Sequence, residues 1–212
     1  MSELNSFIAA LRVGGVVMVP LLALAVVAAV VILEKLFVFA ARTRLPSGVL
    51  AVVETYGFPW EDLEARLARV DRRNYFRRFF EVIIEHRMQP AWWIESRATE
   101  EASLIEQSLG RWLWTLETIV TAAPLLGLLG TISGMIRAFK LFGAEGLVDP
   151  RGVTGGVAEA LIATAVGLFI ALVALFAFNY FSHRQAQVMD ELEQLGTRLV
   201  NYIRLEEQKE AT

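Results

Sequence analysis

Three stretches of the chain contain no charged residue and are long enough to cross a lipid bilayer. They cover residues 13–33, 118–136 and 160–182, which are 21, 19 and 23 residues long. At a rise of about 1.5 Å per residue, a helix of this length spans a hydrocarbon core roughly 30 Å thick. A helix in a soluble core rarely extends so far without a charge. The pattern therefore predicts an all-α integral membrane protein with three transmembrane helices.

The first apolar stretch has two interpretations, a membrane span or a cleaved signal peptide. A signal peptide has an apolar core of about 7–15 residues, followed by small residues at the cleavage site. Here the core is longer, and Glu34 and Lys35 follow it directly without such a site. We therefore expect an uncleaved first span.

The segment between the first two spans has the periodicity of amphipathic helices. Pro46-Ser47-Gly48 punctuates its beginning. Leu63, Leu67 and Val70 then recur at helical spacing after a proline that suits a helix start. A second helix is expected over residues 74–88, ended by the next proline.

Beyond that proline, we expect one continuous helix over residues 91–136 that rises directly into the membrane. Gly110 weakens such a helix by about 1 kcal/mol without having to break it. Pro124 lies within the span and predicts a kink, since it frees a backbone carbonyl.

The segment after the third span carries an apolar stripe that needs a partner. Either the segment 60–111 or another copy of the chain could cover it. The stripe consists of Val188, Leu192, Leu195, Leu199 and Ile203.

Basic residues outside the spans predict the orientation. The segment 42–111 contains 11 arginines and the tail after residue 182 contains four basic residues, against four on the other side. The positive-inside bias places the middle segment and the C-terminus in the cytoplasm. The predicted organisation is a periplasmic N-terminus and first transmembrane helix (1–41), a cytoplasmic helical domain (42–111), a second transmembrane helix (112–141), a periplasmic loop (142–156), a third transmembrane helix (157–182) and a cytoplasmic C-terminal amphipathic helix (183–212).

Composition narrows the possible functions. A net charge of −3 does not favour nucleic acid as a partner. The absence of cysteine excludes disulfides and thiolate metal sites, and the two histidines, His86 and His183, are far apart in sequence. Without a cluster of nucleophile, base and metal ligands, we expect neither an enzyme, nor a metal site, nor a cofactor.

The second and third spans carry small residues at helical spacing, which let helix backbones approach closely in lipid. Helix packing alone would explain these residues. The faces consist of Ala123, Gly127, Thr131, Gly134 and Ala138 in the second span, where Gly130 and Gly134 form a further pair, and of Ala160, Thr164, Gly167, Ala171 and Ala174 in the third.

Thr131 and Thr164 add hydroxyl groups to these faces. Each threonine could simply bond a carbonyl of its own helix. Together, the two could form a polar seam that faces a partner helix or a narrow water path. Glu159 lies at the outer end of the third span, where a solvated carboxylate is the simpler interpretation. No ionisable residue lies deep in any span, so a proton relay would need a titrating group from another polypeptide.

Two segments resemble signatures of the ExbB/TolQ/MotA proton-channel family. Residues 123–135, Ala-Pro-Leu-Leu-Gly-Leu-Leu-Gly-Thr-Ile-Ser-Gly-Met, closely resemble its second-span signature. Residues 159–168, Glu-Ala-Leu-Ile-Ala-Thr-Ala-Val-Gly-Leu, are similar to its third-span signature. The three-span layout extends the resemblance over nearly the whole chain.

The resemblance implies a proton-channel subunit of a motor in the bacterial inner membrane. It implies a homopentamer in membrane lipid, surrounding an ExbD/TolR-like dimer of single-span proteins, and work on a TonB/TolA-like protein. In that family a transmembrane aspartate of the partner carries the proton. By motif, Thr131 and Thr164 line the cavity beside that aspartate, and Glu159 is the matching acid. The remaining motif residues implied to pack the helices are Pro124, Gly127, Gly130, Gly134, Ala160 and Gly167.

Three spans are fewer than the four of a flagellar MotA-type subunit, which argues against flagellar ion drive. The sequence leaves the ExbB and TolQ roles open. A different class of function, a non-conducting helical scaffold that anchors a membrane complex, also fits three packed spans.

Overall fold

The computed structural model describes residues 15–44, 47–54, 58–140 and 150–210. Within these ranges all regular structure is helical and no strand is found. The helices are α1 (Met18–Arg42), α2 (Ser47–Glu54), α3 (Trp60–Leu67), α4 (Tyr75–Glu85), α5 (Ala91–Gly110), α6 (Leu113–Lys140) and α7 (Pro150–Glu210).

Three helical stretches are long and apolar enough to cross a membrane. They are Met18–Arg42, Ala91–Phe139 and Thr154–Gln208. The predicted all-α fold with three membrane-spanning helices is confirmed. In the most apolar part of each stretch only 28% is buried within the chain. The rest of this apolar surface therefore requires lipid or further protein around it.

The predicted continuous helix over residues 91–136 is wrong at one point, since α5 ends at Gly110 and α6 begins at Leu113. Arg111 is extended (φ −52°, ψ 132°) and Trp112 is left-handed (φ 67°). A tertiary contact accompanies this break. The side chain of Lys35 is fully buried, and its Nζ donates to the carbonyl of Leu109 at 2.8 Å. That carbonyl lies in the last turn of α5, where helix carbonyls lack intrahelical partners.

Other boundaries also differ from the expectation. Residues 47–54 form α2, although Pro46-Ser47-Gly48 suggested only a turn. The helix expected over residues 74–88 ends at Glu85. α7 begins at Pro150, so residues 150–156 of the predicted loop are helical, while 142–149 lie outside the described residues. α6 continues through Pro124, as expected for a span that contains it, and the kink at this residue stays a prediction.

The chain divides into two compact units. The first, here called the span unit, contains the described part of Met1–Leu33 together with Trp112–Tyr180. The second, the helical unit, contains Glu34–Arg111 and the described part of Phe181–Thr212.

In the span unit, α6 and α7 run antiparallel with their backbones almost in contact. Glycines occupy the positions where the two helices approach each other most closely. A Cβ added to Gly127 would lie 3.0 Å from Thr164 Cα, and one added to Gly167 would lie 2.5 Å from the carbonyl oxygen of Ala123. Because lipid gives no hydrophobic reward for helix association, such close contacts have to supply the attraction.

Two further contacts extend this packing along the same face. A Cβ on Gly130 would approach Ala163 Cβ to 2.6 Å, and one on Gly134 would approach Ala160 Cβ to 2.9 Å. Close approach therefore holds over several turns of both helices.

In the helical unit, the apolar stripe of α7 packs against the same chain. Val188, Leu192 and Leu199 are all buried, and Gly196 lies against the ring of Phe79 in α4. Arg204 Nη2 bonds Glu95 of α5 at 2.8 Å. Of the two partners considered for the stripe, the segment 60–111 of the same chain therefore covers it.

Asn74 joins two segments of the helical unit. Its Oδ1 accepts from the backbone N–H groups of Phe76 (2.9 Å) and Arg77 (3.3 Å), which caps α4. Its Nδ2 donates to the carbonyl of Arg44 at 2.8 Å. Asn74 is 3% exposed, and its bond from Phe76 is buried, while the bonds to Arg77 and Arg44 are part-buried.

Gly167→Ala should destabilise the contact between α6 and α7. The new methyl group would overlap the Ala123 carbonyl, and overpacking of this kind costs about 1–3 kcal/mol. Thermal unfolding of the purified protein in detergent measures the effect. The matched control is Gly155→Ala, because a Cβ at Gly155 meets nothing within 4 Å. Equal stabilities of the two variants would contradict the close packing.

Asn74→Ala should destabilise the helical unit by about 2–3 kcal/mol. This sum combines the loss of an N-cap with the loss of the part-buried side-chain hydrogen bond to Arg44. Asn74→Asp should cost less, because it keeps the cap acceptor and loses only the donor to Arg44. Hydrogen exchange at the start of α4 separates the two effects, since protection there should fall in Asn74→Ala and persist in Asn74→Asp.

Candidate functional site

Thr164 places a hydroxyl in the contact between α6 and α7. Its Oγ1 donates to the carbonyl oxygen of Gly127 in α6 at 2.9 Å. The bond is possible because Gly127 has no side chain and lets the α7 backbone come close. The Thr164 side chain therefore bonds across the helix pair rather than to its own helix.

Thr131 lies one turn after Gly127 in α6. Its Oγ1 donates to the Leu128 carbonyl of its own helix at 2.7 Å, and the side chain is half-buried. A hydroxyl that donates its proton still has two lone pairs to accept with. Thr131 therefore retains capacity for a water molecule or a protonated partner group.

Glu159 forms an ion pair rather than a freely solvated end. Its Oε1 is bonded by Nη2 of Arg137 in α6. Nη1 of the same guanidinium bonds the Oγ of Ser133 at 3.2 Å. The Glu159 side chain is 19% exposed, whereas that of Arg137 is 43% exposed. The negative charge of Glu159 in α7 is thus compensated by Arg137 of α6.

Gly15 lies directly against this ion pair. A Cβ there would overlap Glu159 Oε1 and would lie 2.8 Å from Arg137 Nη2. Gly15 also has a φ of +70°, in the region that favours glycine. Its carbonyl accepts from the N–H of Met18 at 3.1 Å, in the turn that leads into α1. Three parts of the span unit therefore meet at Glu159.

The spans between these ends contain no charge. Residues 118–136 and 160–182 contain no Asp, Glu, Lys, Arg or His. A proton cannot be held at that depth by this chain alone, since threonine does not titrate at physiological pH. At that depth the chain itself supplies hydroxyls and backbone groups but no acid.

The structure brings most of the predicted residues together along one helix pair. Gly127, Gly130, Gly134, Ala160 and Gly167 all lie at the close contact. Pro124 is half-buried inside continuous α6.

Sequence reasoning missed Arg137, Ser133 and Gly15 at the Glu159 site. A signal for Arg137 was present, because the antiparallel register that pairs Gly134 with Ala160 also brings residue 137 next to residue 159. The role of Gly15 depends on a three-dimensional contact and has no comparable pattern in the sequence.

Known proteins provide an independent comparison. The model of the MotA/TolQ/ExbB proton channel family matches residues 71–194. The chain is 34% identical over 206 residues to the putative biopolymer transport protein ExbB-like 3 of Synechocystis sp., covering 93% of this chain and 95% of that protein. It is 33% identical to ExbB-like 1 of the same organism, covering 88% of this chain and 74% of that protein.

A third relative matches a shorter segment of the chain at a higher identity. The biopolymer transport protein ExbB of Xanthomonas campestris is 45% identical over 78 residues, which cover 37% of this chain and 31% of that protein. The family match spans more than half of the chain, and the first relative covers nearly all of it. Together with the three apolar helices, these similarities show that the chain is an inner membrane protein and belongs to the MotA/TolQ/ExbB proton channel family.

Proposed function

We propose that this chain is the channel subunit of an ExbB–ExbD or TolQ–TolR type motor. It converts proton motive force into work on a cell-envelope partner, which is a TonB/TolA-like protein. Five copies surround a dimer of ExbD/TolR-like single-span helices, each with one transmembrane aspartate. The N-terminus is periplasmic and the C-terminus cytoplasmic, and the chain itself is not an enzyme.

The observation that carries this proposal is the pairing of two hydroxyls with an uncharged membrane interior. Thr164 bonds Gly127 across the helix pair, and Thr131 lies one turn further along α6. No ionisable side chain lies at this depth. A chain that conducts protons through such a region must receive the titrating acid from a partner helix.

The hydroxyls would affect how readily that acid loses its proton. A carboxylate in a low-dielectric cavity favours its neutral form, and hydrogen bonds to the charged form oppose this preference. A threonine hydroxyl, or a water molecule bound to it, supplies such a bond. One charge that crosses 100 mV releases about 2.3 kcal/mol, enough to drive a step of the partner helices.

The exposed apolar surface supports an assembly around the chain. Leu125, Leu128 and Ile132 of α6 and Phe169 and Phe176 of α7 are each more than two-fifths exposed. Lipid and neighbouring copies would cover these faces. The alternative function, a non-conducting scaffold, predicts the same coverage and differs only in ion movement.

Thr131→Val should reduce proton flux by about tenfold to a hundredfold while the complex still assembles. Hydrogen bonds to charged groups contribute about 1.5–3 kcal/mol, and valine keeps the shape without the hydroxyl. The measurement is proton flux into vesicles that contain the chain with its single-span partner. Native mass spectrometry confirms assembly.

The matched control is Thr121→Val. Thr121 is also in α6 and also bonds the carbonyl three residues earlier, Thr118, at 2.9 Å, but it is exposed. Thr164→Val should reduce the flux as Thr131→Val does. If Thr131→Val and Thr164→Val both conduct as the unmodified chain does, the role proposed for the two hydroxyls is wrong. Absence of proton flux through the unmodified complex would favour the scaffold over the motor.

Native mass spectrometry should find five copies of this chain with two copies of the single-span partner. Replacement of the partner's transmembrane aspartate by asparagine should abolish proton flux without dissociating the assembly. A different count would contradict the proposed stoichiometry. Undiminished flux would contradict the supply of the acid by the partner.

A further inference from the structure

One guanidinium in the span unit donates hydrogen bonds to two oxygen groups. Arg137 Nη1 bonds the hydroxyl of Ser133 at 3.2 Å, and Nη2 bonds the carboxylate of Glu159. Ser133 precedes Arg137 by one turn of α6, while Glu159 comes from α7. The positive charge thus lies between the two helices, at a place where a small cation would find the same oxygens.

Oxygen groups of this kind are what hard cations select. Carboxylate oxygens suit hard cations, and transporters coordinate sodium within the membrane through oxygen groups of their helices. Glu159 is well shielded, with 19% of its side chain exposed. A shielded carboxylate without a counterion is costly, so a vacated site would attract a cation.

We propose that Arg137 is a specificity-determining residue that keeps sodium and other alkali cations away from Glu159. Its guanidinium occupies the cation position between the oxygen groups, so that protons are the only cations left to be conducted. The inference rests on the proposed function, because it assigns the ion choice of the same helix pair. A fixed positive charge near a pore is also a direct electrostatic barrier to cations.

Gly15 completes the site by closing over the ion pair. Any side chain at this position would overlap Glu159 Oε1, and the left-handed φ of +70° disfavours residues other than glycine. The close fit leaves Glu159 no room to turn away from Arg137 towards Gly15. A substitution at Gly15 should therefore disturb the pair without removing either charge.

The first test measures sodium binding to the purified complex of the chain with its single-span partner. Sodium resonance broadening is recorded for the unmodified chain, Arg137→Gln and Arg137→Lys. Arg137→Gln should bind sodium at least about tenfold more tightly than the unmodified chain, since glutamine leaves Glu159 uncompensated. Arg137→Lys should restore exclusion, because it returns a cation to the site. Sodium binding by Arg137→Gln no stronger than that of the unmodified chain overturns the proposal.

Arg66→Gln is the matched control for removal of a guanidinium. Arg66 is 42% exposed, close to the 43% of Arg137. It also bonds two oxygen groups, Asp62 Oδ2 at 3.1 Å and the Gly48 carbonyl at 3.0 Å. Asp62 is 46% exposed, so water compensates it and Arg66→Gln should gain no sodium binding. A gain equal to that of Arg137→Gln would show a non-specific charge effect and overturn the proposal.

Two further variants keep the test decisive. Ser133→Ala added to Arg137→Gln should weaken the acquired sodium binding, since it removes one ligand; unchanged binding contradicts the assigned site. If Arg137→Gln does not assemble, Arg137→Met takes its place, because it also removes the cation while keeping a long side chain, and its failure to gain sodium binding also overturns the proposal. Sodium binding is read separately from proton flux. Absence of flux in the unmodified complex would therefore reject the motor while leaving the sodium result to decide the role of Arg137.

Discussion

The close approach of α6 and α7 is the constraint on which the site depends. Positions 127, 130, 134 and 167 have no side chain, and adding one would bring a carbon to within 3.0 Å of the opposite helix at each. This contact fixes the register of the two helices. The register in turn brings Thr164 to the Gly127 carbonyl and Arg137 to Glu159. Larger residues at the contact would move both polar interactions apart together.

The distribution of charge follows from the cost of placing ions in lipid. Glu159 and Arg137 lie at the ends of the apolar stretches and compensate each other. At the other end of α1, the buried Lys35 has both a carbonyl and the carboxylate of Glu34, at 3.7 Å, as neighbours. Buried charges of this kind are tolerated when paired and hydrogen-bonded. Residues 118–136 and 160–182 contain no Asp, Glu, Lys, Arg or His, which is consistent with an acid supplied by another helix.

The parts of the fold that sequence could predict are those set by local pattern. The three apolar stretches follow from length and lack of charge. The stripe of α7 follows from helical spacing, although its partner became clear only from contacts such as Gly196 against Phe79. The family signatures named Thr131, Thr164 and Glu159 before any geometry was known.

The remaining features depend on contacts between distant residues. The break between α5 and α6 occurs at Trp112, a residue that ordinarily continues a helix, and it accompanies the bond from Lys35 to a residue 74 positions away. A sequence pattern of neighbouring residues cannot predict a bond between residues so far apart in the chain. Similarly, Glu159 looked like a solvated end because its counterion is 22 positions distant, on another helix.

The hydrogen-bonding capacity that remains at each site distinguishes the two polar regions of the α6–α7 pair. At the Glu159 end, the carboxylate has a guanidinium partner and Gly15 closes the adjacent space, so the groups are fixed in one arrangement. In the interior of α6, the Thr131 hydroxyl donates a hydrogen bond to the Leu128 carbonyl and keeps lone pairs that can accept one. Proton transfer needs groups that can exchange partners, whereas exclusion of other ions needs groups that cannot. In the proposed motor, these two requirements are met at different places on one pair of helices, with the hydroxyls at depth and the ion pair at the end.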